Sequence, residues 1–347
     1  MVEAPTVPAA HSRVPSQSVK PAERRAHGKR LRDTVPRDAH AAWRGHAERA
    51  DPIGILRAAD AARQPDLVPL RYGRMLQSPF TFYRGSAAVM AADLARMPVS
   101  GIHVQVCGDC HLMNFGGFAT PERRLIFDIN DLDETLPAPW EWDVKRLVAS
   151  FVLAARANGL SDPQGRDAAI ACARRYRRKM RDLTAMDVLD VWYARLDESD
   201  VLAMLPQDRR ALLRKRIAKA TAASSSELVY PKLVEQAGGQ ARIHDTPPTI
   251  FHADASRAAG NIEIIRECFV PYRETLAEDR RVLLDRYRLV DAAVKVVGIG
   301  SVGTLCMVAL MMSVADNPLF LQFKQANASV LGPMRAPART RTTANGL

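Results

Sequence analysis

The stretch Cys107-Gly108-Asp109-Cys110-His111-Leu112-Met113-Asn114-Phe115-Gly116, followed by Phe127-Asp128-Ile129-Asn130-Asp131, decides how this chain is read. Asn114 lies five positions after Asp109, and Asp128 lies fourteen after Asn114. Ile102 to Val106 alternates apolar and polar residues, which predicts a strand entering the stretch. Leu125 to Ile129 predicts a second strand, so the motif sits on a loop between two strands. Gly116, Gly117 and Pro121 suit a tight return. A carboxylate, an amide and a second carboxylate delivered by a strand end are what phosphoryl transfer with magnesium requires. One group orients a hydroxyl nucleophile, and two oxygen ligands hold the metal on the nucleotide phosphates. The alternative is a turn in which the same side chains satisfy nearby backbone groups.

A second motif, Gly298-Ile299-Gly300-Ser301-Val302-Gly303-Thr304, stands far downstream. In a dinucleotide-binding unit such a run joins a strand to a helix. Here Val296-Val297 and Leu305 to Met311 predict flanking strands, and Leu319 to Phe323 predicts a third that ends in Lys324. That pattern fits a loop laid over phosphates, with Gly298, Gly300, Ser301 and Gly303 at the nucleotide and Lys324 reaching the α/β-phosphates. A purely structural glycine hairpin is the alternative. In a protein kinase the glycine loop and lysine come first. Here they come last, so the expected arrangement is permuted.

Three further segments bear on the site. Cys107-x-x-Cys110-His111 has the form of a haem-attachment or redox motif, or half of a zinc site with His103. It lacks the export signal, the following helix and the further ligands those roles need, so His111 reads better as a polar partner of Asp109. Pro139 to Leu147 reads as the start of an amphipathic helix, where Asp143 braces the catalytic loop and Lys145 and Arg146 pair with Asp131, Asp133 or Glu134. In Ser78 to Gly85, Arg84 follows an expected aromatic strand. It reads as a brace paired with the acidic motif, or as a phosphate ligand.

The chain has 347 residues, a formal net charge of +11 and a pI near 9.7. Basic residues gather at the ends, which permits nucleic-acid binding without requiring it. Five cysteines without a regular framework, and an N-terminus without an apolar signal region, suggest a cytoplasmic protein. Val296 to Ala315 carries no charge, but its glycines favour a buried hairpin over a membrane span. Helices are predicted at Asp51 to Ala62, Ala87 to Arg96, Glu141 to Ala157 and Arg166 to Arg181. Gly238 to Thr249 reads as a loop, and Pro271 to Lys295 as a long charged helix.

Together these motifs resemble the bacterial family of domain of unknown function 2252. The resemblance also rests on Pro69 to Met75, Ser78-Pro79-Phe80, Tyr83-Arg84-Gly85, Asp133-Glu134 and Leu321-Gln322-Phe323-Lys324, and runs from about Arg32 to about Ser329. That family is similar to the protein-kinase-like superfamily, especially aminoglycoside and small-molecule kinases. The resemblance implies an α+β, two-lobed architecture with a mostly helical large lobe. It implies Asp109 as catalytic base, Asn114 and Asp128 as magnesium ligands, Asp143 as the brace, and ATP with Mg²⁺ as cofactors. The expected layout is a disordered basic arm over residues 1–35, a catalytic lobe over 36–290, a partial nucleotide lobe over 291–330 and a disordered tail over 331–347. The chain departs from the family at Gln325, where a glutamate is usual, and after Gly332-Pro333-Met334-Arg335. A truncated pseudokinase is therefore the rival expectation, and a basic nucleic-acid-associated protein the weaker one.

Overall fold

The computed structural model describes residues 20–41, 43, 49–122, 124–223, 226–252, 255–296 and 298–334. The fold is mixed α+β. Five helices come first: α1 (Pro21–Thr34), α2 (Pro52–Asp60), α3 (Val68–Met75), α4 (Pro79–Arg84) and α5 (Ala87–Leu94). Four short strands carry the first motif: β1 (His103–Val106), β2 (Phe115–Ala119), β3 (Leu125–Ile129) and β4 (Leu136–Pro139). β1 pairs antiparallel with β4, and β2 with β3. Six helices follow: α6 (Trp140–Ala157), α7 (Asp162–Leu183), α8 (Val188–Trp192), α9 (Glu198–Ala203), α10 (Gln207–Ala223) and α11 (Ser226–Leu233). Then come β5 (Val234–Ala237), β6 (Gln240–Ile243), β7 (Ile250–Phe251), α12 (Ala255–Thr275), α13 (Glu278–Leu284), β8 (Tyr287–Lys295), β9 (Cys306–Ser313) and β10 (Pro318–Lys324).

β10-β9-β8-β7 form one antiparallel sheet around the apolar strand β9, which is buried along nearly its whole length. Ala293, Val308, Leu310 and Met312 pack on β5 and β6 on one face; Ala292, Met307 and Ala309 pack with Ile265 of α12 on the other. Such two-sided burial explains an uncharged run without a bilayer. Among the described residues no helix is long and apolar enough to cross a membrane.

Several expectations are corrected. Pro271 to Lys295 is not one helix: α12 stops at Thr275, and Tyr287–Lys295 is the nine-residue strand β8. Its Ala- and charge-rich composition suits a helix, but the antiparallel ladder with β9 overrides that local preference. The expected boundary at 290/291 therefore cuts through a strand, and the sheet also draws on residues as early as β5 to β7 through its core. Ser78 to Gly85 is helical, because Ser78 and Thr81 close a capping box and Pro79 occupies the first turn. Gln240–Ile243 forms β6 within the expected loop. In the expected disordered arm, Pro21–Thr34 is a helix with no buried residue, while residues 1–19 lie outside the described ones. In the expected tail, Leu331 is buried against Ala138 and Trp142; residues 335–347 lie outside the described ones.

A charged clamp ties the sheet's edge together. His252 Nδ1 lies 2.7 Å from Asp245 Oδ1, and Nε2 lies 3.1 Å from Asp291 Oδ2. Asp291 also accepts the Ile243 amide at 2.6 Å, which links β8 to β6. The hydrogen bond to Asp291, then that to Asp245, holds the His252 pKa above its ordinary value despite burial. Burial pushes both aspartates up, but their bonds to His252 and to backbone amides bring them below the usual range. The imidazolium's contribution is therefore complete below pH about 6.5 and lost as pH rises through the raised value. The carboxylates' contribution is lost as pH falls through their depressed values. His252→Gln is expected to cost about 2 kcal/mol at pH 6 and clearly less at pH 9, measured by urea denaturation at both. An equal cost at both pH values would remove the clamp's charge from the account.

Candidate active site

The first motif is built around a turn that only its sequence permits. β1 runs into Cys107 and Gly108, and Gly108 has φ +88°. A Cβ there would run into the Glu134 carbonyl, so the position demands glycine twice over. Asp143, in the first turn of α6, lies beneath this turn. Its carboxylate accepts the Cys107 amide at 2.7 Å and the Gly108 amide at 3.0 Å. Burial pushes the Asp143 carboxyl pKa up, and the two amides pull it back.

Asn114 ends a short 3₁₀ turn, Leu112–Asn114, and is buried. Its amide nitrogen donates to the Asp109 carbonyl at 3.0 Å and the Asp131 carbonyl at 3.2 Å. One side chain thus fastens the two halves of the motif, and among the described residues Oδ1 has no hydrogen-bond partner. The β2–β3 hairpin then returns the chain, and the Asn130 amide donates to the Asn114 carbonyl at 2.8 Å.

The cavity this creates, about 180 Å³, is lined by Asp109, His111, Asn114, Asp131, Arg84, Gly298, Ile299, Gly300, Ser301 and Lys324, among others. A second cavity of about 260 Å³ shares Asp109, Asp131, Gly300 and Ser301, and adds Arg63, Asp133, Glu134, Thr304 and Gln325. Most of the candidates from the two distant motifs thus meet in one place. Gly303 and two others fall outside that wall.

Asp128 does not line either cavity. It pairs with Gly116 inside the hairpin, is exposed, and turns its Oδ1 to the Ile129 amide at 2.8 Å. Asp131, two residues beyond β3, lines both cavities. Lys324 Nζ stands 4.0 Å from Asp131 Oδ2 and 3.5 Å from Asp133 Oδ2. Burial, then the Asp131 charge, raises the Asp133 pKa, and Lys324 opposes the rise. Asp143 is the other expected residue absent from the wall, since it acts from beneath.

Arg146 is the residue that sequence reasoning misplaced. It pairs with Asp109 and not with Asp131, Asp133 or Glu134. Its Nε donates to Asp109 Oδ1 at 2.6 Å, and its Nη2 reaches the same oxygen. The same nitrogen donates to the Tyr83 carbonyl at 2.9 Å, and the guanidinium lies 4.3 Å from the Tyr83 ring centre. Tyr83 OH in turn donates to the Arg146 carbonyl at 2.8 Å, and burial raises its pKa. The available signal was spacing: Arg146 is one helical turn after Asp143, so both face the same loop. Glu134 is half-buried and accepts the Val330 amide at 2.7 Å, which docks the segment after β10 beneath the motif. Its pKa is raised, chiefly by burial.

His111 lies with Nε2 3.7 Å from Asp109 Oδ2, beyond hydrogen-bond reach, and its buried Nδ1 has no partner. Burial lowers its pKa, which keeps it neutral near pH 7. Cys107 and Cys110 are buried free thiols, and the Cys107 thiol donates to the Asp131 carbonyl at 3.5 Å.

The glycine segment is held down firmly. Ile299 inserts among Leu56, Met75 and Val89 of the N-terminal helices. The Gly303 carbonyl accepts the Gln64 amide at 2.7 Å, and the Val302 carbonyl accepts Arg63 Nη1 at 2.5 Å. Gln325 occupies the position of the expected glutamate but bonds the Leu305 amide through Oε1 at 3.0 Å, so it closes the strand pair and leaves Lys324 to the aspartates.

No curated protein and no solved structure matches this chain. One family does, described as uncharacterized protein conserved in bacteria (DUF2252), over residues 63–346. The match spans both motifs, the residues that join them and the docked segment after β10, and the chain belongs to the DUF2252 family.

Proposed function

We propose that this chain is a kinase-like phosphotransferase that moves the γ-phosphoryl group of ATP to a hydroxyl. The observation that carries the reading is the meeting of Asp109, Asn114, Asp131, Gly298 to Ser301 and Lys324 around one cavity, from sequence positions far apart. Asp109 orients the acceptor hydroxyl and takes its proton at Oδ2, since Arg146 engages Oδ1. Arg146 holds the carboxylate's direction, and Asp143 holds the loop. Lys324 neutralises phosphate charge once released from Asp131 and Asp133. The layout is a permuted, two-lobed kinase-like one, with β8 to β10 covering the nucleotide.

Magnesium fits the donor set. Among the described residues no group of three or more His, Cys, Asp or Glu side chains is placed to hold a metal alone. Mg²⁺ needs none, since it uses one or two protein oxygens and completes its shell with phosphate oxygens and water. Asn114 Oδ1 and the Asp131 carboxylate would hold it, where it would neutralise charge on the transferring group. The five free cysteines accord with a cytoplasmic setting.

The rival is a non-catalytic kinase-like binding protein. It is favoured by Lys324, which is engaged by Asp131 and Asp133, and by Gln325, which stands where the family usually has a glutamate. Calorimetry with Mg²⁺ and ATP, followed by a panel of hydroxyl acceptors, separates the two. The phosphotransferase reading expects binding and turnover, with Asp109→Asn retaining binding while turnover falls about 10²- to 10⁴-fold. Binding without turnover on any acceptor supports the rival. Absence of Mg²⁺-dependent ATP binding in the intact chain ends the reading. Affinity for DNA or RNA that falls steeply with salt would favour a third role for the basic surface.

A further inference from the structure

We propose that Arg84 and the backbone of Gly298 to Ser301 form a rigid, metal-independent site for a phosphate-type oxyanion. The proposal deepens the phosphotransfer reading by naming the group that takes phosphate charge. It also stands without that reading, because an anion site requires neither base nor metal.

Arg84 forms no ion pair, although Asp109 and Asp131 line the same cavity. Among the described residues no carboxylate lies within 4.0 Å of its guanidinium, whereas Arg146, Arg71 and Arg63 each have one. Its Nε is buried without a hydrogen-bond partner. Arg84 is half-buried, and its buried Nε is an unmet donor that is costly unless a ligand completes it. The guanidinium's planar fork suits two oxygens of one phosphate.

The residue is also held in place. Arg71 is buried, paired with Asp60 at 3.0 Å, and donates to the Gly85 carbonyl at 2.6 Å. That bond pins the end of α4 and so fixes where Arg84 begins. Above it, the glycine segment is anchored by Ile299, Val302 and Gly303. A Cβ on Gly298 would stand 4.0 Å from Arg84 Nη2, so a longer side chain there would fill the space between the wall and the guanidinium. Glycine leaves that space open. His111 supplies a second independent sign of a ligand. Its side chain is only 7% exposed, lines the same cavity, and keeps Nδ1 unpartnered.

The test uses inorganic pyrophosphate without metal, titrated into the full chain by calorimetry. The intact chain is expected to bind, and Arg84→Gln to bind at least about tenfold more weakly. Arg96→Gln, which removes the same charge from an exposed position, is expected to bind as the intact chain does. Gly298→Leu keeps the guanidinium but fills the cradle, and is expected to lose binding too; it carries the test if Arg84→Gln does not fold. No pyrophosphate binding by the intact chain overturns the site, as does equal binding by Arg84→Gln. The two readings separate cleanly. Mg²⁺-ATP binding with no binding of pyrophosphate by the intact chain overturns the cradle and leaves phosphotransfer standing. Pyrophosphate binding that depends on Arg84, with no ATP binding, upholds the cradle and ends phosphotransfer.

Discussion

Asp131→Ala is expected to weaken Mg²⁺-dependent ATP binding by about 100-fold or more, and Asp128→Ala to change it less than about twofold. The two aspartates differ by three positions and belong to the same FDIND run, and the sequence reading assigns the metal to Asp128. The hairpin register separates them. Asp128 is a paired residue of β3, opposite Gly116, and its carboxylate bends back to its neighbour's amide. Asp131 lies past the strand end, where Asn114 holds its carbonyl and Lys324 approaches its carboxylate. Loss of a direct ligand should exceed the 10- to 100-fold typical of outer-shell partners. Titrations of ATP at several Mg²⁺ concentrations read the effect. If Asp128→Ala proved the damaging change, the assignment of Asp131 would fall. Thermal unfolding of both variants checks that neither effect is lost folding.

Arg146→Leu is expected to destabilise the fold by about 3 kcal/mol, the scale for breaking one side of a buried ion pair. Arg146 is 2% exposed, and its removal strands Asp109 Oδ1 and the Tyr83 carbonyl. Leucine restores apolar volume, so the loss reports polar groups left without partners and not a cavity. Asp109 is partly exposed and regains some water, which keeps the figure at the lower end. Arg146→Lys is expected to recover less than half, since one ammonium cannot serve both acceptors in the guanidinium's geometry. Urea denaturation of Arg146→Leu, Asp109→Asn and the double variant gives the coupling directly. A coupling near zero would mean that the pair holds neither the fold nor the carboxylate's direction.

Much of the local architecture is written in the chain itself. The alternation in Ile102 to Val106 and the apolar runs at Leu125 to Ile129 and Leu319 to Phe323 each correspond to a strand, within a residue or two at the ends. Trp140–Ala157 follows the helical spacing of its apolar residues. Such signals are readable because neighbours a few residues apart produce them. A strand whose partner lies far along the chain is not readable in this way. Tyr287–Lys295 has helix-favouring composition and became a strand because β9 lies beside it. Ser78 to Gly85 looked like an aromatic strand, although its capping box was present in the letters Ser78-Pro79-Phe80-Thr81.

The sequence by itself determined the family, the acid and amide set on a loop between strands, the glycine segment and the lysine that follows it. Short-range spacing and residue chemistry are enough for those. Four features come from the packed chain instead: Asp131 and not Asp128 lines the cavity, Arg146 engages Asp109, Arg84 forms no ion pair beside the glycine segment, and Glu134 anchors the segment after β10. Each depends on strand register or on a contact between residues distant in the chain. Such contacts are settled by packing and by the need to satisfy buried charge, which no window of neighbouring residues contains.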